Sequence, residues 1–174
     1  MANHQSRNGL AVAQLFASVI ATHLSAPEAA KLSVVHSCFR SGVKSLYRRR
    51  YWALLFRYFS TTEQIQSFRR LQQEYGILIA GSAVVYFLRG GILPDVELDV
   101  FCGRGADAFE HFLQAEAGYI RAPHAMSGDE VFSEESGIRS KHVFGNFGGK
   151  SQVNVFICPR GPVDAVLKSD SSTS

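Results

Sequence analysis

Three acids recur at alternate positions in the stretch "PDVELDVFC": Asp95, Glu97 and Asp99. In an extended chain, residues i and i+2 share a face. Glu97 and Asp99 therefore project side by side, while Val96, Leu98 and Val100 point toward a core. Adjacent ionised carboxylates repel, so the pattern calls for a positive partner. A hard divalent cation such as Mg2+, bound through oxygen and keeping several waters, suits that geometry. Asp95 follows Pro94 and reads as a solvated residue at the strand entry. Upstream, "LIAGSAVVYFLR" places a Gly81-Ser82 turn between an apolar strand and a helix. Glycine lets a phosphate approach the backbone, and a helix N-terminus offers unpaired N–H groups and a positive dipole end. Ser82 adds a hydroxyl. Gly81, Ser82, Glu97 and Asp99 together form a candidate cradle for a metal-bound triphosphate.

The elements around these residues alternate in texture. From Leu10 to about Phe59 the chain reads as helical, with Leu15, Phe16, Val19, Ile20, His23 and Leu24 on one apolar face. Ser25 with Glu28 forms an expected capping box for a second helix carrying Ala29, Leu32, Val35 and Phe39. Gly42 is expected to interrupt it before the basic aromatic helix "KSLYRRRYWALLFRYF". Thr61 with Gln64 opens another helix, through Ile65, Phe68 and Leu71 to a stop at Gly76. Beyond Gly76 come the strand "ILIA", the helix "SAVVYFLR" ending at Gly90-Gly91, the strand "VELDVFC" and the helix "GADAFEHFLQAEAG". Residues 121–138 lack periodicity and read as a loop. "SKHVFGNF", a Gly148-Gly149 turn and "KSQVNVFIC" read as a hairpin. "PVDAVL" is a short helix before a polar tail.

The composition of the 174 residues, 46% hydrophobic and 19% charged, is that of a globular protein with a real core. No apolar run approaches the ~20 residues that span a bilayer, and the N-terminus shows no apolar signal segment. Cys38, Cys102 and Cys158 are odd in number and widely spaced, against a disulfide framework or a zinc site. A cytosolic or nuclear setting, with no membrane partner, is the expectation. Residues 1–75 carry 10 Lys/Arg and 3 Asp/Glu (+7), whereas residues 76–174 carry 8 and 12 (−4). Two differently purposed segments follow from that asymmetry.

The strand–turn–helix–strand order with Ala80-Gly81-Ser82 and Glu97-Leu98-Asp99-Val100 resembles the nucleotidyltransferase superfamily over roughly residues 76–165. The resemblance implies an α/β (α+β) fold, a mixed sheet with flanking helices. In that superfamily the two strand acids bind two divalent ions, and a third acid on a later strand helps activate an acceptor hydroxyl for attack on an α-phosphate. Here the later strand reads Ser151-Gln152-Val153-Asn154-Val155-Phe156, and the neutral Asn154 stands where the third acid is expected. The resemblance therefore implies binding of a nucleoside triphosphate with Mg2+ and weak or absent turnover, Glu97 and Asp99 being the acids that remain.

Ahead of it, residues 10–50 resemble a divergent F-box of the sort found before unrelated domains in fungal proteins. The likeness rests on His23-Leu24-Ser25, Glu28, Leu32-Ser33-Val34-Val35, Phe39-Arg40 and Leu46-Tyr47-Arg48, without the usual Leu-Pro opening. It implies a ubiquitin-ligase adaptor as partner through residues 10–50. The expected division is 1–9 disordered, 10–59 F-box-like, 60–168 nucleotidyltransferase-like and 169–174 a disordered tail. Two other readings stay open. One is a noncatalytic interaction module on the same fold. The other is RNA binding through "YRRRYWALLFRYF", where Arg48, Arg49, Arg50 and Arg57 would neutralise phosphate. A bland account of that stretch puts Trp52, Leu55 and Phe56 on one buried helix face and the arginines in solvent. The six histidines show no ligand spacing.

Overall fold

A computed structural model of the chain describes residues 24, 26–35, 37–89, 96–123, 132, 136–146 and 151–171. The expected helix over residues 10–23, the Ser25 cap, Asp95 and the Gly148-Gly149 turn lie outside them, as do His4, His23, His36 and His124. Among the described residues the chain forms six helices and a five-stranded mixed sheet. It divides into two compact units, residues 1–54 with 85–92, and residues 55–84 with 93–174. None of these helices is long and apolar enough to cross a membrane.

The first unit contains α1 (Ala26–Val35) and most of α2 (Ser37–Leu55). Ala29, Val43 and Leu46 form its small buried cluster, with Leu24 and Tyr47 packed against it. Gly42 does not interrupt α2: a helix-interior glycine costs ~1 kcal/mol relative to alanine, which tertiary packing overrides. Arg50 donates to the Leu24 carbonyl at 3.2 Å, so one of the expected solvated arginines is used structurally. Arg48 and Arg49 are exposed. Phe87 takes the rings of Tyr47 and Tyr51 at 5.9 and 6.2 Å.

The second unit carries the sheet. Helix α2 ends at Leu55, which leaves Phe56 in the following turn and exposed, not beside Trp52 and Leu55 on one buried face. Helix α3 (Thr62–Tyr75) opens with the expected capping box. Thr61 Oγ1 accepts from the Gln64 N–H at 3.2 Å, and Gln64 Oε1 accepts from the Thr61 N–H at 3.3 Å. It closes at Gly76, whose φ of +66° is the left-handed conformation of a helix stop. Strand β1 (Leu78–Ala80), helix α4 (Ser82–Arg89), strand β2 (Leu98–Cys102) and helix α5 (Ala106–Ala115) follow in the expected order.

Strand β3 (Tyr119–Arg121) is a short element that no periodicity announces, and it takes Arg121 from the expected loop. Strands β4 (Ser140–Asn146) and β5 (Gln152–Ile157) pair antiparallel, as the hairpin reading expects. The last helix, α6 (Pro162–Ser171), continues past the expected stop at Leu167, helped by an Asp164–Lys168 pair one turn apart at 2.9 Å.

The sheet order is β1-β2-β5-β4-β3, antiparallel except for the β2–β5 pair. Alternation gives it two unlike faces. Leu98, Val100, Val153, Val155 and Phe144 share one face and are fully buried. Helix α5 packs on that side, backed by α3, through Phe59, Phe68, Phe109 and Phe112 with ring centroids 5.1 to 6.5 Å apart. On the other face Phe101 stacks on Phe156 at 4.7 Å, and Ala165 and Val166 of α6 cover that pair. The rest of this second face carries the polar residues.

The aromatic cluster is where stability concentrates. Phe68→Ala is expected to cost about 3–5 kcal/mol in urea unfolding, because a buried ring leaves a cavity. Leu167→Ala, at a side chain 69% exposed, is expected to change it by less than ~0.5 kcal/mol.

Candidate functional site

Strand register assembles the site. Asp99 on β2 lies between Ala80 of β1 and Asn154 of β5, its direct partners on either side. Residue 97 precedes β2 on the same face, and its backbone is held from behind: the Tyr58 hydroxyl donates to the Val96 carbonyl at 2.8 Å. Tyr119 in turn donates to the Tyr58 carbonyl at 2.8 Å. That use of its one hydrogen leaves Ser151, 2.9 Å away and just before β5, to donate to the Tyr119 oxygen. Hydroxyl contacts thus tie the start of β2 to the start of β5.

The two acids converge on one nitrogen. Asn154 Nδ2 donates to Glu97 Oε2 at 2.5 Å and to Asp99 Oδ1 at 2.8 Å. Gln152 Nε2 donates to Asn154 Oδ1 at 3.0 Å, which fixes the amide with its NH2 toward the acids. Asn154 is 1% exposed, Asp99 is half-buried and Glu97 is exposed.

The other oxygen of Asp99 faces the turn. Gly81 has φ +72°, and a Cβ at that position would overlap Asp99 Oδ2 and sit 3.2 Å from Asp99 Cγ. Glycine is required here twice over, for its backbone conformation and for the space. Ser82, the first residue of α4, is exposed beside it. Gly81, Glu97, Asp99 and Asn154 therefore share one locality, with Ser82 adjoining in sequence at the mouth of α4.

Burial raises the Asp99 carboxyl above the ordinary 3.8. The Asn154 hydrogen bond opposes that shift, the Glu97 charge adds to it, and Lys141 opposes it. A cation between the acids would reverse the balance, because it favours the ionised form. Among the described residues no group of three or more His, Cys, Asp or Glu side chains is placed to hold a metal ion. The point on which the two carboxylates converge is held by Asn154 Nδ2, so an oxygen-liganded divalent ion would sit between them only by displacing that donor. Among the described residues a second ion finds no further carboxylate here, because the residue abreast of Asp99 on β5 is an amide.

Sequence reasoning missed a second polar cluster. On the opposite sheet face His142 Nδ1 makes a short hydrogen bond with Glu110, and Arg121 reaches Glu110 Oε2 at 3.6 Å. The alternation His142–Phe144 on β4 was the available signal for the histidine, while nothing in the sequence spacing pairs it with Glu110. Cys102 and Cys158 are free and buried. Burial raises both thiols, Cys158 to about 11, so neither is a thiolate at neutral pH.

No protein-family model matches the chain, and no curated protein or solved structure matches it significantly.

The Gly81–Asp99 contact is tested by a double-mutant cycle. Gly81→Ala is expected to lose ~2 kcal/mol or more of stability, of which the left-handed backbone accounts for ~1–2 kcal/mol. In an Asp99→Ala background only the backbone cost remains, and equal losses in both backgrounds would deny the close approach. Asp99→Asn keeps an acceptor for Asn154 and removes the charge. Because the folded-state pKa is raised, the wild-type chain loses stability as pH climbs through it. The Asn variant is therefore expected to melt higher at pH 7, with the advantage gone below pH 3.8.

Proposed function

We propose that this chain is a nucleotidyltransferase-like protein that binds a nucleoside triphosphate with one Mg2+ and does not transfer the nucleotidyl group. The observation that carries the proposal is Asn154, whose amide stands between Glu97 and Asp99 on the neighbouring parallel strand. A carboxylate in that position would hold a second ion and accept a proton from an attacking hydroxyl. An amide has no charge for the first task and no basicity for the second.

Binding draws on what remains. Glu97 and Asp99 would hold the ion, and Gly81 keeps the turn low enough for the carboxylate to lie against the backbone. Ser82 and the first turn of α4 present donors to phosphate oxygens. When bound, the ion would supply charge neutralisation.

Calorimetric titration with ATP, GTP, CTP and UTP tests this directly. At least one is expected to bind only with Mg2+ present, to lose at least ~10-fold in affinity in Glu97→Gln/Asp99→Asn, and to remain intact on prolonged incubation. Binding that ignores those acids would overturn the site, and release of pyrophosphate would overturn the inactivity.

A second reading is favoured by the same hydrogen bonds. Because Asn154 already satisfies both acids, the fold needs no ligand to hold them, which suits a noncatalytic interaction module. Failure of all four nucleotides to bind, with capture of a ubiquitin-ligase adaptor that depends on residues 10–50, is the result that would select it.

A further inference from the structure

We infer that the pocket between the segment entering β4 and the turn leaving β5 is a binding site for a phosphate group, held by Arg139 and Arg160. The cavity is about 220 Å3 and is lined by Gly137, Ile138, Arg139, Pro159 and Arg160. Its two arms are pinned by the backbone. The Arg139 N–H donates to the Ile157 carbonyl at 2.7 Å, and the Gly161 N–H donates to the Cys158 carbonyl at 2.9 Å.

Charge is what the pocket leaves unsettled. Among the described residues neither guanidinium has a carboxylate partner. The adjacent acid, Asp164, whose Oδ2 lies against Gly137, is already taken by Lys168 Nζ at 2.9 Å. Two like charges lining one cavity repel, and an anion between them turns that cost into two attractions.

The donor count selects the anion. Each guanidinium offers a planar fork that matches two oxygens, and a carboxylate brings only two oxygens and one negative charge to a pair of such forks. A tetrahedral phosphate has the oxygens to take both. The size limits it further. Pockets for whole small molecules run ~300–1,000 Å3, so this one takes the phosphate group and leaves the rest of its carrier outside.

The site is separate from the carboxylates. Ile157, the last residue of β5, lies three residues beyond Asn154, about 10 Å at the rise of an extended chain, and Pro159 and Arg160 lie in the turn beyond it. It stands or falls independently of nucleotide binding at Glu97 and Asp99.

Inorganic phosphate, titrated into the full chain at constant ionic strength, is the probe, read through the Nε–Hε resonances of the two arginines. Saturable shifts of both are expected in the wild type and in Glu97→Gln/Asp99→Asn. Arg139→Gln/Arg160→Gln, at exposed positions that leave the melting curve unchanged, is expected to abolish saturation seen at other reporters such as the Gly137 and Gly161 amides. Arg160→Lys keeps the charge but loses the fork, and is expected to weaken binding several-fold. A 5′-phosphorylated dinucleotide and its unphosphorylated counterpart then tell a terminal phosphate from a backbone diester as the source. Shifts that grow without saturating, that chloride reproduces, or that survive in the double Gln variant would overturn the proposal.

Discussion

Everything on the polar face is organised around the carboxylate of Asp99, held between two neighbours that leave it no freedom. One oxygen lies against the backbone of Gly81 and the other accepts from the amide of Asn154. Each neighbour is dictated by strand register, since residues 80, 99 and 154 sit abreast on three adjacent strands. A larger residue at position 81 has no room. A change of register by one residue would carry Asp99 to the oily face, where Leu98 and Val100 now lie fully buried.

That constraint is affordable because the opposite face does the stabilising. Phe59, Phe68, Phe109 and Phe112 pack together over a sheet surface of Leu and Val, all with almost no exposure. The polar face adds its own smaller apolar patch, Phe101 and Phe156 under α6, next to the acids. Asp99 thus sits at the border between a dry patch and solvent. Its raised pKa is the electrostatic signature of that border, and the Asn154 amide is the local answer to it.

Much of this was legible from residue order because it depends on short-range rules. Period-two alternation placed Glu97 and Asp99 on one side and Leu98 and Val100 on the other. The Thr61–Gln64 box and Gly76 marked the ends of α3. Asn154 could be named because the nucleotidyltransferase resemblance points to that later strand for a third acid, and the structure sets it abreast of Asp99. What escaped notice has a different origin. Strand β3 is three residues long and owes its existence to pairing with β4, a partner over twenty residues away. Gly42 passes through α2 because tertiary contacts outweigh its weak helix propensity. Glu110 and His142 meet only when α5 is laid on the sheet, so no local spacing records them. Arg139 and Arg160 likewise belong to segments brought together by the β4–β5 pairing.

The amide at position 154 is more than a missing acid. Its oxygen is engaged by Gln152, so its NH2 is presented to Glu97 and Asp99 as a fixed donor. An ion entering between those acids competes with that donor. Either it displaces the two hydrogen bonds, or the amide turns over and offers its oxygen as a ligand, in which case Gln152 must give up its own contact. Both routes charge the ion for bonds that a third carboxylate would never have made. The same bonds let two neighbouring acids persist in a partly buried position when no ion is bound. A neutral donor in place of a negative ligand therefore lets the two acids stand together without a metal ion. On the proposed nucleotide-binding reading, Asn154 would separate holding a nucleotide from transforming it.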